Sequence, residues 1–138
     1  LMGDAVELGV DMFLLDDGWF GNKYERHSDT QGLGDWDETK HKLPHGIQKL
    51  VDEAAKRNIK FGIWIEPEAV NSKSELFEKH PDWALQVKER PLQYGRGGTQ
   101  MLLDVCNPKV QDFMFGIVDN LLSRHPQIAS SNGMPTWN

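Results

Sequence analysis

The sequence predicts an α/β fold assembled from parallel β/α units. Two observations carry that expectation. Apolar runs at residues 10–15, 59–65 and 101–103 are short, and each stops at acidic side chains: Asp16-Asp17, Glu66-Pro67-Glu68 and Asp104. Strands covered on both faces read as near-continuous hydrophobic runs, and in parallel sheets ligands bind beyond their carboxyl ends. Between and after these runs lie segments with helical periodicity, so strand and helix alternate as they do in right-handed crossover units.

Taken in order, residues 2–8 read as the last turns of a helix closed by Gly9, and residues 10–15 as the first strand. The run then gives way to Asp16-Asp17-Gly18-Trp19-Phe20. Neighbouring strand residues point to opposite sides, so two consecutive carboxylates share an orientation only where the chain has left regular strand geometry. Two carboxylates beside two aromatics are costly to desolvate alone and are expected to face a ligand or hydrogen-bond donors. The competing reading is a solvated turn. Residues 22–45 form a long polar loop with Gly32, Gly34 and Pro44, of the kind that tends to be functional. His27, His41 and His45 lie in or beside it at irregular spacing and are expected at the surface, and Trp36 anchors the loop or lines a cleft.

From Ile47 the apolar positions Leu50, Val51, Ala54 and Ala55 keep one helical face, and Asn58 ends it. Residues 59–65 form the second strand, with Trp64 just inside its rim. A short helix at 74–79, a brief extended piece at 83–87, and a loop at 91–100 with the lone Arg96 precede the third strand. Asn107-Pro108 is a helix start, and Val110, Phe113, Met114, Ile117, Val118, Leu121 and Leu122 are expected as core until Arg124-His125-Pro126 ends the helix.

With 138 residues, a formal charge of -6 and 38% hydrophobic residues, the chain fits one globular unit or a piece of a larger one. The acidic balance, without a Lys/Arg cluster, argues against a nucleic-acid partner. Neither a leader nor a spanning segment is read, so no membrane is expected. Cys106 is the only cysteine, which rules out an internal disulfide and permits a cytoplasmic setting. If the three strands lie side by side, their acids gather at one rim with Trp19, Trp64 and Arg96. Carboxylates accept hydrogen bonds from hydroxyls, and indole faces pack on C–H patches, so such a rim suits a sugar. The same acids suit a divalent cation. Glu66 and Glu68 fit a structural role as readily as a functional one, since Pro67 marks a kinked exit.

Leu15-Asp16-Asp17-Gly18-Trp19-Phe20, Gly34-Asp35-Trp36, Gly62-Ile63-Trp64-Ile65-Glu66-Pro67-Glu68, His80-Pro81-Asp82-Trp83 and Leu103-Asp104 with Pro108 together resemble glycoside hydrolase family 36, the microbial α-galactosidases. The resemblance implies a catalytic (β/α)8 TIM barrel, of which residues 1–129 are roughly the first three β/α units, preceded in the whole protein by a β-sandwich. It further implies retaining hydrolysis of terminal α-galactosides of the melibiose and raffinose type, no metal or other cofactor, and a homo-oligomeric intact enzyme.

Carried over by position, Asp16 and Asp17 match the pair that holds the galactose hydroxyls at positions 4 and 6, Trp64 matches the aromatic wall, and Arg96 matches an arginine that reaches the sugar. Trp19 and Glu66 are weaker candidates. No catalytic residue is expected in this chain: the nucleophile of the family's Lys-Trp-Asp motif and the acid/base aspartate belong downstream. Residues 130–138 depart from the pattern where that motif is due. They can be encoded so that the frame one base earlier reads Lys-Trp-Asp, and the tail is therefore expected to be frame-shifted. The alternatives are a metal-dependent barrel enzyme with Asp16, Glu66 and Asp104 as ligands, and a non-catalytic sugar-binding remnant.

Overall fold

The computed structural model describes residues 1–85 and 98–130. Helix α1 (Met2–Glu7) turns at Leu8 and Gly9 into strand β1 (Met12–Leu15). Gly9 takes the left-handed conformation, with φ of 80°, that closes a helix most cheaply when no Cβ is present. Helix α2 (Gly46–Lys56) buries Ile47, Val51 and Ala54, the face set by the apolar period. Asn58, with φ of 53°, turns the chain into β2 (Lys60–Ile63). Strands β1 and β2 pair in parallel, with Met12 opposite Lys60 and Leu15 opposite Ile63. The first β/α/β unit is as the sequence predicts, in a mixed α/β structure.

The second half departs from the expected run of parallel strands. The expected third strand is β4 (Gln100–Leu102), and among the described residues it pairs with β3 (Ala69–Asn71) and not with the parallel pair. That pairing is antiparallel, Ala69 opposite Leu102 and Asn71 opposite Gln100. Strand β3 follows the Glu66-Pro67-Glu68 kink directly and is only three residues long, too short to show alternation in the sequence. Helix α3 (Glu75–Lys79) is capped by Ser74, whose Oγ accepts from the Phe77 N–H. A 3-10 turn at Pro81–Trp83 replaces the first residue of the expected extended piece; Ala84 then bridges Leu103. Residues 86–87 and Arg96 lie outside the described residues.

Helix α4 (Pro108–Arg124) starts on the Asn107 side chain, which accepts from the Lys109 N–H. Of its seven expected core positions only Val110 and Leu121 are buried, while the other five pack half-buried against the two clusters. After His125 the chain forms a further short helix, α5 (Pro126–Ser130), that packs on α4 and β2. One core cluster joins β1, β2 and α2 to the aromatics of the long loop, and a second joins β3, β4, α3 and the start of α4. No helix among the described residues is long and apolar enough to cross a membrane.

Candidate active-site rim

The parallel register decides what meets at the carboxyl end of the β1/β2 sheet. Leu15 lies opposite Ile63, and the Trp64 N–H donates to the Leu15 carbonyl at 2.9 Å. The Asp pair therefore leaves β1 at the height where Trp64 leaves β2. Both aspartates are exposed and Trp64 is half-buried, its ring packed against Phe20 and Trp36 at centroid distances of 6.4 and 6.2 Å. The sequence-predicted Asp16, Asp17 and Trp64 thus share one end of one sheet.

The two carboxylates differ in their surroundings. Asp16 Oδ1 accepts from the Asp17 N–H at 2.8 Å, which folds the side chain back over its own turn. Asp17 is gripped by Arg26, with Nε donating to Oδ1 at 2.9 Å and Nη2 to Oδ2 at 3.1 Å. Arg26 is only 4% exposed. It rests against the Phe20 ring and also donates through Nη1 to the Gln31 carbonyl and to Asn71 Oδ1. Sequence reasoning missed Arg26, because a lone arginine in a polar loop carries no mark of burial. The adjacent backbone is held by Lys42, whose ammonium donates to the carbonyls of Gly18 and Arg26 at 3.0 and 2.7 Å.

The long loop is not loose. It pairs with itself through an antiparallel bridge between Phe20 and Glu38, and with the chain after β3 through a bridge between Gln31 and Lys73. Trp19 is 2% exposed and its indole N–H donates to the Trp64 carbonyl at 2.9 Å. This weaker candidate for sugar contact is thus corrected: Trp19 is buried and its polar atom is taken by the Trp64 backbone, so it offers no open face to a ligand. Trp36 is buried too, 4.4 Å from Phe20 between ring centroids, so it anchors the loop, and it also lines a cavity. Its neighbour Asp35 caps α3 from across the chain, accepting from the Glu75 and Leu76 N–H groups at 2.8 and 2.9 Å. Burial pushes the Asp35 carboxyl above the usual carboxylate range, against the pull of those two bonds.

Glu66 is half-buried in the kink after β2, its carbonyl accepting from the Ala69 N–H. Asp104 caps the turn into α4 by accepting from the Cys106 N–H at 3.0 Å. Among the described residues no group of three or more His, Cys, Asp or Glu side chains is placed to hold a metal ion. The set Asp16, Glu66 and Asp104, drawn from three strand ends on the premise of one sheet, is not brought together, because β4 pairs elsewhere. His27, His41 and His45 are exposed, as expected. A cavity of about 430 Å³ lies away from the Asp pair, lined by Asp35, Trp36, His80, Trp83, Phe113 and Ile117 among others.

Residues 1–129 match the family model described as melibiase. The chain belongs to the melibiase family. The motif resemblance to the α-galactosidases of glycoside hydrolase family 36 is thereby confirmed, and with it the expected hydrolase class of the family. The chain is 42% identical over 130 residues to a probable alpha-galactosidase C of Aspergillus terreus, covering 88% of this chain and 17% of that protein. A crystal structure of the alpha-galactosidase from Lactobacillus brevis superposes with a TM-score of 0.82 at 37% identity, covering 90% of this chain and 16% of that one. A variant of the GH36 alpha-galactosidase AgaA from Geobacillus stearothermophilus, solved in complex with raffinose, gives a TM-score of 0.79 at 41% identity, covering 89% of this chain and 16% of that one. This melibiase-family chain therefore spans about one sixth of the length of the relatives it matches.

Proposed function

We propose that the chain is part of the catalytic (β/α)8 barrel of a retaining α-galactosidase, roughly its first three β/α units, acting on raffinose-type oligosaccharides. Asp16 and Asp17 accept hydrogen bonds from the hydroxyls at positions 4 and 6 of a terminal galactose, and Trp64 forms the apolar wall against the C–H face of the ring. Arg96, outside the described residues, is assigned to the same subsite on the family resemblance alone. The observation that carries this reading is the register that brings the Asp pair and Trp64 off adjacent parallel strands at one height, within a segment matched to melibiases throughout. Of the weaker candidates, Trp19 acts through its bond to the Trp64 backbone, and Glu66 stays a candidate for sugar contact. The parallel β1/α2/β2 unit supports the barrel, and the antiparallel β3/β4 pair is then an excursion from it. A cytoplasmic, homo-oligomeric enzyme without a metal or other cofactor completes the proposal; the free Cys106 is compatible with the first point.

Retaining hydrolysis needs a carboxylate nucleophile and an acid/base carboxylate about 5 to 5.5 Å apart on either side of the scissile bond. The chain's own acids bind; the catalytic pair belongs downstream, so the 138-residue chain alone is inactive. The tail, residues 130–138, is read as a shifted frame, and the end of the family match at Ala129 supports that reading. Resequencing past codon 130 tests it: a stop directly after codon 138, with no Lys-Trp-Asp in either other frame, overturns the frame reading. In the full-length enzyme, replacing Asp16 or Asp17 by Ala removes hydrogen bonds to a charged group worth about 1.5 to 3 kcal/mol each. At least a tenfold fall in kcat/KM on an aryl α-galactoside is expected, with no response to chelator. Unchanged kcat/KM in both variants refutes the subsite.

A further inference from the structure

We infer that Arg26 is the positioning residue that fixes the direction in which Asp17 presents its carboxylate to the sugar. The inference rests on the subsite reading of Asp17 and goes beyond it. A guanidinium has five N–H donors in a rigid plane, and here every one has an acceptor. Nε and one hydrogen of Nη2 form the fork on Asp17 at 2.9 and 3.1 Å. The second hydrogen of Nη2 goes to Asp29 Oδ1 at 3.4 Å, and the two on Nη1 go to the Gln31 carbonyl at 3.0 Å and Asn71 Oδ1 at 3.3 Å. The group is therefore held on all sides and cannot swing away from Asp17.

Its anchor is equally fixed. Asn71, on β3, is fully buried; its Oδ1 also accepts from the Leu33 N–H at 2.9 Å, and its Nδ2 donates to the carbonyls of Asp29 and Thr99 at 3.1 and 3.4 Å. Strand β3, the long loop and the approach to β4 thus meet at one amide, and that amide meets Arg26.

The consequence for Asp17 follows from counting lone pairs. An ionised carboxylate offers about four acceptor positions. The fork occupies one on each oxygen, and the Asp17 side chain is 37% exposed, so the remaining positions face outward, where a ligand arrives. Asp17 is thereby pre-organised and loses little side-chain freedom on binding. Asp16 has no cationic partner among the described residues and is held only by its own turn, so the two members of the pair differ in stiffness.

The test is a double-mutant cycle in the full-length enzyme, on an aryl α-galactoside and on inhibition by free galactose. R26K keeps a positive charge but cannot form the fork, and R26Q removes the charge while keeping an N–H donor. Either variant, judged folded by an unchanged circular dichroism spectrum, is expected to raise KM and the galactose inhibition constant together, lowering kcat/KM at least tenfold. In the D17A background the same replacement is expected to cost less than twofold, because Arg26 then has nothing to aim. An equal loss in both backgrounds overturns the inference and leaves the subsite intact, as does wild-type kcat/KM in R26K and R26Q. Wild-type kcat/KM in D17A overturns the subsite and the inference together.

Discussion

At the scale of single residues, Asp35 shows how a side chain adjacent to a recognisable aromatic does its work at a distance. Its two oxygens cap α3 at the Glu75 and Leu76 N–H groups, forty residues further along the chain. Burial raises its pKa, so the linkage has a definite sign. The folded state holds the proton more tightly than the unfolded chain, and the site is favoured below the unfolded carboxyl range and loses that advantage as pH rises through the folded value. Asp35→Asn removes the buried charge but turns an NH2 group toward one of the two backbone donors. A buried donor left without an acceptor costs about 1 to 3 kcal/mol, and we expect that loss to exceed the relief. Hydrogen exchange at the amides of Glu75 and Leu76 should rise in the Asn variant of the full-length protein, and unchanged protection there would show that the Asp35 carboxylate is not what holds them.

At the scale of elements, the joint between α4 and α2 runs through His125. Its Nδ1 lies 2.7 Å from the Gln48 oxygen, which can only accept, so Nδ1 carries the proton, and the buried Nε2 has no partner among the described residues. Burial lowers the imidazole pKa, Arg124 lowers it further, and the more remote Glu38 and Asp52 pull weakly the other way. A lowered folded pKa means that the full contribution is present above the unfolded value of about 6.5 and is lost as pH falls through the folded one. Exchange of the amides around Gln48 and Leu121, corrected for intrinsic rate, should therefore increase as the full-length protein is acidified below pH ~6.5. His125→Gln should flatten that dependence, and a dependence that survives the replacement would place its origin elsewhere.

Elements also show what a sequence can and cannot disclose. α2 was legible because it is long enough to display its period, and β1 and β2 because each is an apolar run whose end the acids mark. β3 was not, since three residues after a proline kink carry no alternation, and missing it moved β4 from a parallel sheet to an antiparallel pair. The Asp pair and Trp64 were legible as a rim because they depend only on β1 and β2. Arg26 was not: its burial is created by β3 and by the folding back of the loop, which are long-range facts. Nor was the cap made by Asp35, whose partner is distant in sequence.

At the scale of the molecule, the sheet that carries the rim has two strands among the described residues. Among the described residues neither outer edge of that pair is hydrogen-bonded to another strand, and Val10 and Leu14 remain 41% and 50% exposed. Unpaired edges template association between chains, and a two-stranded sheet is marginal without further cover. Leu102 on β4 and Phe115 on α4 are also exposed, at 53% and 73%. The isolated 138-residue chain is therefore expected to be weakly stable and to self-associate with rising concentration. The packing of Trp19, Trp36 and Trp64 with Phe20 makes tryptophan fluorescence a probe for this, since three of the chain's five tryptophans lie there and Trp83 reports the second cluster. Denaturant titration should show an early, shallow change in that signal, with light scattering growing at the same concentrations. A single steep transition of a monomer, two-state by fluorescence and circular dichroism alike, would mean that the first β/α/β unit and the β3/β4 pair suffice to form a domain.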